Sequence, residues 1–112
     1  MVAACTDTAD RVLARHELVS LTLTHSSGTR ALRLDPAPGA QINAQLPPFV
    51  EFSPTERVQL SSAAVNADTS YFVGGVSASV AAVRVKRGVL KASVCPANLR
   101  VCRYVELPIV LP

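Results

Sequence analysis

Two cysteines set the chemical question in this chain. Cys95 and Cys102 stand with six residues between them in SVCPANLRVCRYVELPIVLP, the segment from Ser93 to Pro112, and each adjoins a run that alternates apolar and polar residues. Such a pair can staple a hairpin, exchange with other thiols, or supply half of a metal site. A zinc centre needs four ligands, and the two histidines, His16 and His25, lack the usual ligand spacing. Metal binding is therefore the least supported of the three, while staple and exchangeable pair remain open on the residues alone.

The alternation around the cysteines predicts how they meet. Leu90, Ala92 and Val94 share one face of a strand, with Lys91, Ser93 and Cys95 on the other. In the last run Val101, Val105, Leu107 and Ile109 share a face, with Cys102, Tyr104 and Glu106 opposite. If the cysteines are direct cross-strand partners, Ser93 falls opposite Tyr104 and Lys91 opposite Glu106. Leu90 then meets Leu107, and Ala92 meets Val105. Charge faces opposite charge and apolar faces apolar, as cross-strand energetics prefer, and one residue of slip would break the pattern. Val94 faces Arg103, at the hairpin end where arginine reaches water. This register predicts both sulfurs on the more polar face of the hairpin, bridged most easily at a non-hydrogen-bonded pair. So short a loop would gain only about 2–3 kcal/mol from the bridge. Six of the eleven basic residues, Arg84, Lys86, Arg87, Lys91, Arg100 and Arg103, lie in this final third. Positive neighbours favour thiolate; as ordinary solvated charges they would leave the sulfurs unaffected.

The remaining residues offer little other chemistry. His16 or His25 could act as a base, yet no third group is evident to orient either one, and a turn accounts for Ser26 and Ser27 beside His25. His25 is expected at a strand end, buried or at an edge. The eight carboxylates are scattered, and the five glycines form no phosphate cradle. No cofactor is expected. Asn43 is expected to anchor its loop through nearby backbone.

Positioning these groups is the task of a single domain. A chain of 112 residues can bury roughly two thirds of its unfolded surface. It is 49% hydrophobic with no Trp, so Val, Leu, Ala and Ile must build the core. No apolar run approaches the ~20 residues needed to cross a bilayer. A net charge of +3 without stacking aromatics or a recognisable reading motif argues against a nucleic-acid partner. The close cysteine pair fits an oxidising compartment. Val2-Ala3-Ala4-Cys5 resembles the end of a bacterial lipoprotein signal, whose cysteine becomes the lipidated first residue. The expected localisation is accordingly periplasmic or otherwise extracytoplasmic, with Cys5 a candidate lipid anchor. Residues 1–16 read as a flexible tail and 17–112 as the domain.

Period two dominates the domain. Val19, Leu21 and Leu23 alternate with Ser20, Thr22 and Thr24, and after a turn at Gly28 comes RALRL, so the two runs read as a hairpin. The proline-rich DPAPGAQINAQLPP is expected to be loop, with a short extended piece around Ile42. FVEFS and RVQLS read as strands, SSAAVNADTS as a surface loop, and YFVGGVSASVAAVRV as strand interrupted at its glycines. KRGV reads as a turn before VLKASVC and VCRYVELPIVL. The one helical competitor is DTADRVLARHE near the start. About seven short strands with frequent turns predict an all-β, immunoglobulin-like antiparallel sandwich.

Two motifs carry a resemblance. GAQINAQLPP, with Gly39, Ile42, Asn43 and Pro47 in place, resembles a segment of bacterial envelope domains related to the N-terminal domain of the thiol:disulfide interchange protein DsbD. LKASVCPANLRVCRYVELPIVL resembles the ending of the same domains, and is similar to the close of the C-terminal β-domain in proteins that join a thioredoxin-like domain to NHL repeats. The resemblance spans Leu18 to Pro112. It implies an immunoglobulin-like sandwich whose redox pair would be Cys95 and Cys102, passing electrons between a thioredoxin-like domain and other envelope proteins. Tyr71 and Phe72 are the nearest aromatic residues for the loop that shields the cysteines in that family.

Overall fold

The computed structural model describes residues 10–26, 28–66, 68–80, 86–96 and 101–112. Among them the chain is all strand and connection, without helix. Eleven strands follow in order: β1 (Asp10–Arg15), β2 (Val19–Ser26), β3 (Thr29–Pro36), β4 (Ala40–Ile42), β5 (Phe49–Ser53), β6 (Glu56–Gln59), β7 (Val65–Asn66), β8 (Tyr71–Phe72), β9 (Val76–Val80), β10 (Lys86–Pro96) and β11 (Arg103–Leu111). The strands beyond the expected seven or so, β1, β4, β7 and β8, are short or peripheral pieces, and the long strands fall where the alternation puts them.

The strands form two antiparallel sheets packed face to face. One has the order β1-β2-β3-β9; the other has β11-β10-β5-β6, with β4 also paired to β10. A two-stranded ribbon, β7-β8, lies beside them. Every second residue of each central strand points into the shared core. Leu21, Leu23, Leu32 and Leu34 come from the first sheet, and Val50, Leu90, Val94 and Ile109 from the second. This aliphatic layer, with Phe72 as its buried aromatic, makes the fold a β-sandwich. Hydrogen bonds tie the sheets together. Ser61 and Ser77 exchange backbone hydrogen bonds of 3.0 Å, and the buried Arg30 of β3 donates from Nη2 to the Pro112 carbonyl at 2.6 Å.

Three stretches depart from expectation. Asp10–Arg15 was expected in a flexible tail with a short helix as the competitor; it pairs with β2 as an edge strand, β1. Its sequence has little alternation to show this, since β1 has a bulge between Val12 and Ala14 and is mostly exposed. Lys86-Arg87-Gly88-Val89 is not a turn but the opening of the eleven-residue β10. Gly88 is there for space: a Cβ on it would lie 2.9 Å from Phe52 Cδ1 and 3.0 Å from Val50 Cγ1. The loop SSAAVNADTS contains the short strand β7. The N-terminal cysteine Cys5, and Arg84 and Arg100, lie outside the described residues.

Gly75 is a second close approach. A methyl group there would meet the Leu34 carbonyl oxygen at 2.8 Å and Asp35 Oδ1 at 2.5 Å, just where β9 enters against β3. Asp35 can swing away, but the backbone carbonyl cannot move without disturbing the ladder. Gly75→Ala is expected to lower the unfolding free energy by about 1–3 kcal/mol, measured by urea denaturation.

Candidate functional site

The hairpin β10-β11 holds the cysteines in the register the alternation predicts. Lys91 pairs with Glu106, Ser93 with Tyr104, Leu90 with Leu107, Ala92 with Val105 and Val94 with Arg103. One step beyond, Cys95 and Cys102 are joined in a disulfide with their Cα atoms 4.0 Å apart. Cys95 belongs to β10, while Cys102 lies just before β11 begins.

Backbone chemistry shows why the bridge fits at this step. Pro108 pairs with Val89 and has no N–H to donate. On the same alternation, Ser93 turns its carbonyl away from β11 and accepts from the Asn43 N–H at 3.0 Å. Pairs two apart along an antiparallel ladder are of the same kind, so Val89:Pro108, Ser93:Tyr104 and Cys95:Cys102 are all non-hydrogen-bonded pairs, whose side chains lie closest.

The two sulfurs differ in access. Cys95 is 3% exposed, whereas Cys102 is exposed, with Val101 at 71% and Tyr104 at 59% beside it. The polar face expected for both cysteines is thus solvent-facing only on the β11 side. On the β10 side, β4 lies alongside, pairing Gln41 with Cys95 and Ile42 with Val94. Asn43 then begins a short excursion before β5 returns to β10 at Phe49. Asn43 anchors this excursion as expected. Its Oδ1 accepts from the Gln45 N–H at 2.8 Å, and its Nδ2 reaches Ser93 Oγ at 3.5 Å. Ser93 is buried in consequence, and Asn43 also bridges to Tyr71. Phe72 is not a shield over the cysteines: it points into the core at 5% exposure.

Three of the four described residues of the basic run have carboxylate partners. Arg103 pairs with Glu17, Lys86 with Glu56, and Lys91 with Glu51 at 3.2 Å and Glu106 at 3.8 Å. Arg57 completes the row by pairing with Glu51 at 3.1 Å while it covers the Phe49 ring. The hydrogen bond from Arg103, reinforced by its charge, holds the Glu17 carboxyl below the usual carboxylate range. The hydrogen bond from Lys91 does the same for Glu51, outweighing the opposing effect of burial, with the charges of Lys91 and Arg57 adding to it. Lys91 is raised in turn, first by its hydrogen bond to Glu51 and then by that carboxylate's charge. The charges of Lys86, Lys91 and Arg103, which were expected to favour thiolate, are therefore compensated by carboxylates.

These shifts fix the pH dependence of the sheet. A carboxyl lowered on folding stabilises the fold above its ordinary pKa of ~4.3, and this contribution is lost as pH falls through the lower folded value. A raised lysine stabilises below its ordinary ~10.4 and loses that contribution as pH rises through the folded value. Glu51→Gln is expected to flatten the acid-side fall of the urea midpoint, and Lys91→Met to flatten both limbs, because it removes the partner of Glu51 as well.

The histidines form no site. His16 Nδ1 accepts from the Leu18 N–H at 3.1 Å within the β1-β2 turn, and His25 lies at the far end of β2. Among the described residues no group of three or more His, Cys, Asp or Glu is placed to hold a metal ion, and no helix is long and apolar enough to cross a membrane. The disulfide hairpin is thus the one sequence-predicted constellation that the fold assembles. Compared with family models, curated proteins and solved structures, the chain matches none of them.

Proposed function

We infer that the domain is a thiol-disulfide exchange module acting with thioredoxin-like or other envelope proteins, and that Cys102 is the sulfur a partner meets. The difference in exposure between the two residues carries this reading: Cys102 is exposed beside Val101 and Tyr104, and Cys95 is buried beside β4. A partner thiolate attacks Cys102 Sγ, the bond to Cys95 breaks, and Cys95 leaves as thiolate and takes a proton. The partner's second thiolate then attacks its own sulfur in the mixed disulfide and releases the Cys102 thiolate. The partner ends oxidised and this domain reduced. In the onward step, Cys102 thiolate attacks an oxidised protein and Cys95 resolves the mixed disulfide, which restores the bridge. The resemblance of residues 39–47 and 90–111 to the DsbD N-terminal domain supports the same role, and with it an immunoglobulin-like topology and an extracytoplasmic location with Cys5 as a lipid attachment point. Equilibration against glutathione tests the reading. A reduction potential above about −300 mV is expected, and a lower value would mark the bridge as purely structural.

A second reading is favoured by the neutralised basic residues. The domain would be an interaction module of a larger envelope protein, with the disulfide as a staple. In that case Cys95→Ser/Cys102→Ser lowers stability by about 2–3 kcal/mol and leaves partner binding intact.

A further inference from the structure

At the edge of the sandwich away from β6, β1 and β11 are neighbours that do not pair. Their directions are opposed. Glu17, just past β1, meets Arg103 at the start of β11, while Arg11 and Val12 lie across from Val110 and Pro112 at its end. Antiparallel edges so placed would ordinarily zip together and close the sheet. One feature faces that gap: β11 carries Pro108, whose pairing with Val89 leaves the open edge without an N–H at this position. The bulge of β1, between Val12 and Ala14, lies in its ladder with β2. An edge proline is a usual means of keeping a strand edge unpaired. The Arg103–Glu17 ion pair pins one end of the seam, and the other end stays open as a groove of about 840 Å³.

The groove walls are apolar and the rim is cationic. Val12, Phe52, Val89 and Val110 line it, with Val12 45% and Val110 51% exposed. Arg11 and Arg87 also line it, both exposed, and neither is in an ion pair among the described residues. They contrast with Arg33, Arg57 and Arg103, which all have carboxylate partners. Glu51, the acidic residue of the lining, is already held by Lys91 and Arg57. A space of this size with apolar walls and a few polar groups is typical of a small-ligand site, and guanidinium groups suit a carboxylate.

We propose that this groove binds an amphipathic carboxylate of the fatty-acid class, its chain along the β1-β11 seam and its head group at Arg11 and Arg87. Pro108 favours this occupant over an added peptide strand, which would need a ladder hydrogen bond that proline cannot donate. The site is separate from the disulfide, at the opposite end of the hairpin.

Dodecanoate, kept below its micelle concentration, is the probe, titrated into the ¹⁵N-labelled protein and followed by amide chemical shifts. Saturable one-to-one binding is expected, with a Kd of ~0.1 mM or tighter and shifts confined to β1, the Glu51-Phe52 stretch of β5, the start of β10 and the end of β11. Arg11→Gln/Arg87→Gln should weaken it at least tenfold while the remaining spectrum shows an intact fold. Butyrate, with the head group but little chain, should not bind. The proposal fails if neutral dodecyl maltoside binds as well as dodecanoate, if the double variant binds unchanged, or if shifts spread over the whole surface or are absent. Tighter binding of an alternating Glu-Val hexapeptide would make the groove a peptide site and would also overturn it.

Discussion

Ile42→Ala is expected to cost about 3 kcal/mol of unfolding free energy and, at the same time, to speed reduction of the Cys95–Cys102 bond. Ile42 is fully buried in the shared core, and the substitution removes three carbons that neighbouring strands cannot fully replace. A core truncation of this kind costs roughly 2–5 kcal/mol, and the site's capacity to collapse sets where in that range it falls. Ile42 is also the residue of β4 that pairs with Val94, next to Gln41 opposite Cys95. A three-residue strand has few other anchors, so its local opening should become more frequent than global unfolding alone requires. Reduction by dithiothreitol under native conditions should therefore accelerate more in Ile42→Ala than in Leu34→Ala, a truncation of similar size in the opposite sheet. Equal acceleration would mean that β4 does not protect the bond.

The single cysteine variants should differ on the order of tenfold or more in their reaction with an oxidised thioredoxin-like partner. Cys95→Ser leaves Cys102 in an exposed position beside Val101 and Tyr104 and should give a mixed disulfide, visible as a band shift on a non-reducing gel. Cys102→Ser leaves a thiol that is 3% exposed, and should react slowly. Burial acts twice on Cys95: it blocks approach, and it disfavours the thiolate that is the reactive form. Iodoacetamide alkylation of the same two proteins separates access from partner recognition. If both variants alkylate at equal rates, the assignment of Cys102 as the entry point is wrong. If neither forms a mixed disulfide although Cys95→Ser alkylates readily, the staple reading is the better one.

The ladder from Leu90 to Arg103 was legible before any fold was known. Period-two alternation marks a face, and only one register sets Lys91 against Glu106 while keeping Leu90 on Leu107, so local pattern and cross-strand chemistry agree. The same holds for β2 and β3, where Leu21 meets Leu34 and Leu23 meets Leu32. Gly88 misled because a glycine after two basic residues has the composition of a turn; its actual reason is the Phe52 ring from another strand, and no local window contains that. β1 was hidden because an exposed, bulged edge strand buries too little to impose alternation. Phe72 and the basic cluster misled for a related cause. An aromatic or a cation near a site in sequence can be claimed by the core or by carboxylates from distant strands, as Phe72, Lys91 and Arg103 are.

By itself, the order of residues determined that this chain is β-structured, that its last two long strands pair, and that Cys95 meets Cys102. Each depends on a repeat of two and on partners close along the chain. Only the tertiary structure decided that Cys95 is covered and Cys102 exposed, that Lys86, Lys91 and Arg103 are held by carboxylates, and that β1 and β11 stand apart over a groove. Those properties arise where segments distant in sequence come side by side, and burial and charge compensation belong to the neighbourhood rather than to the residue.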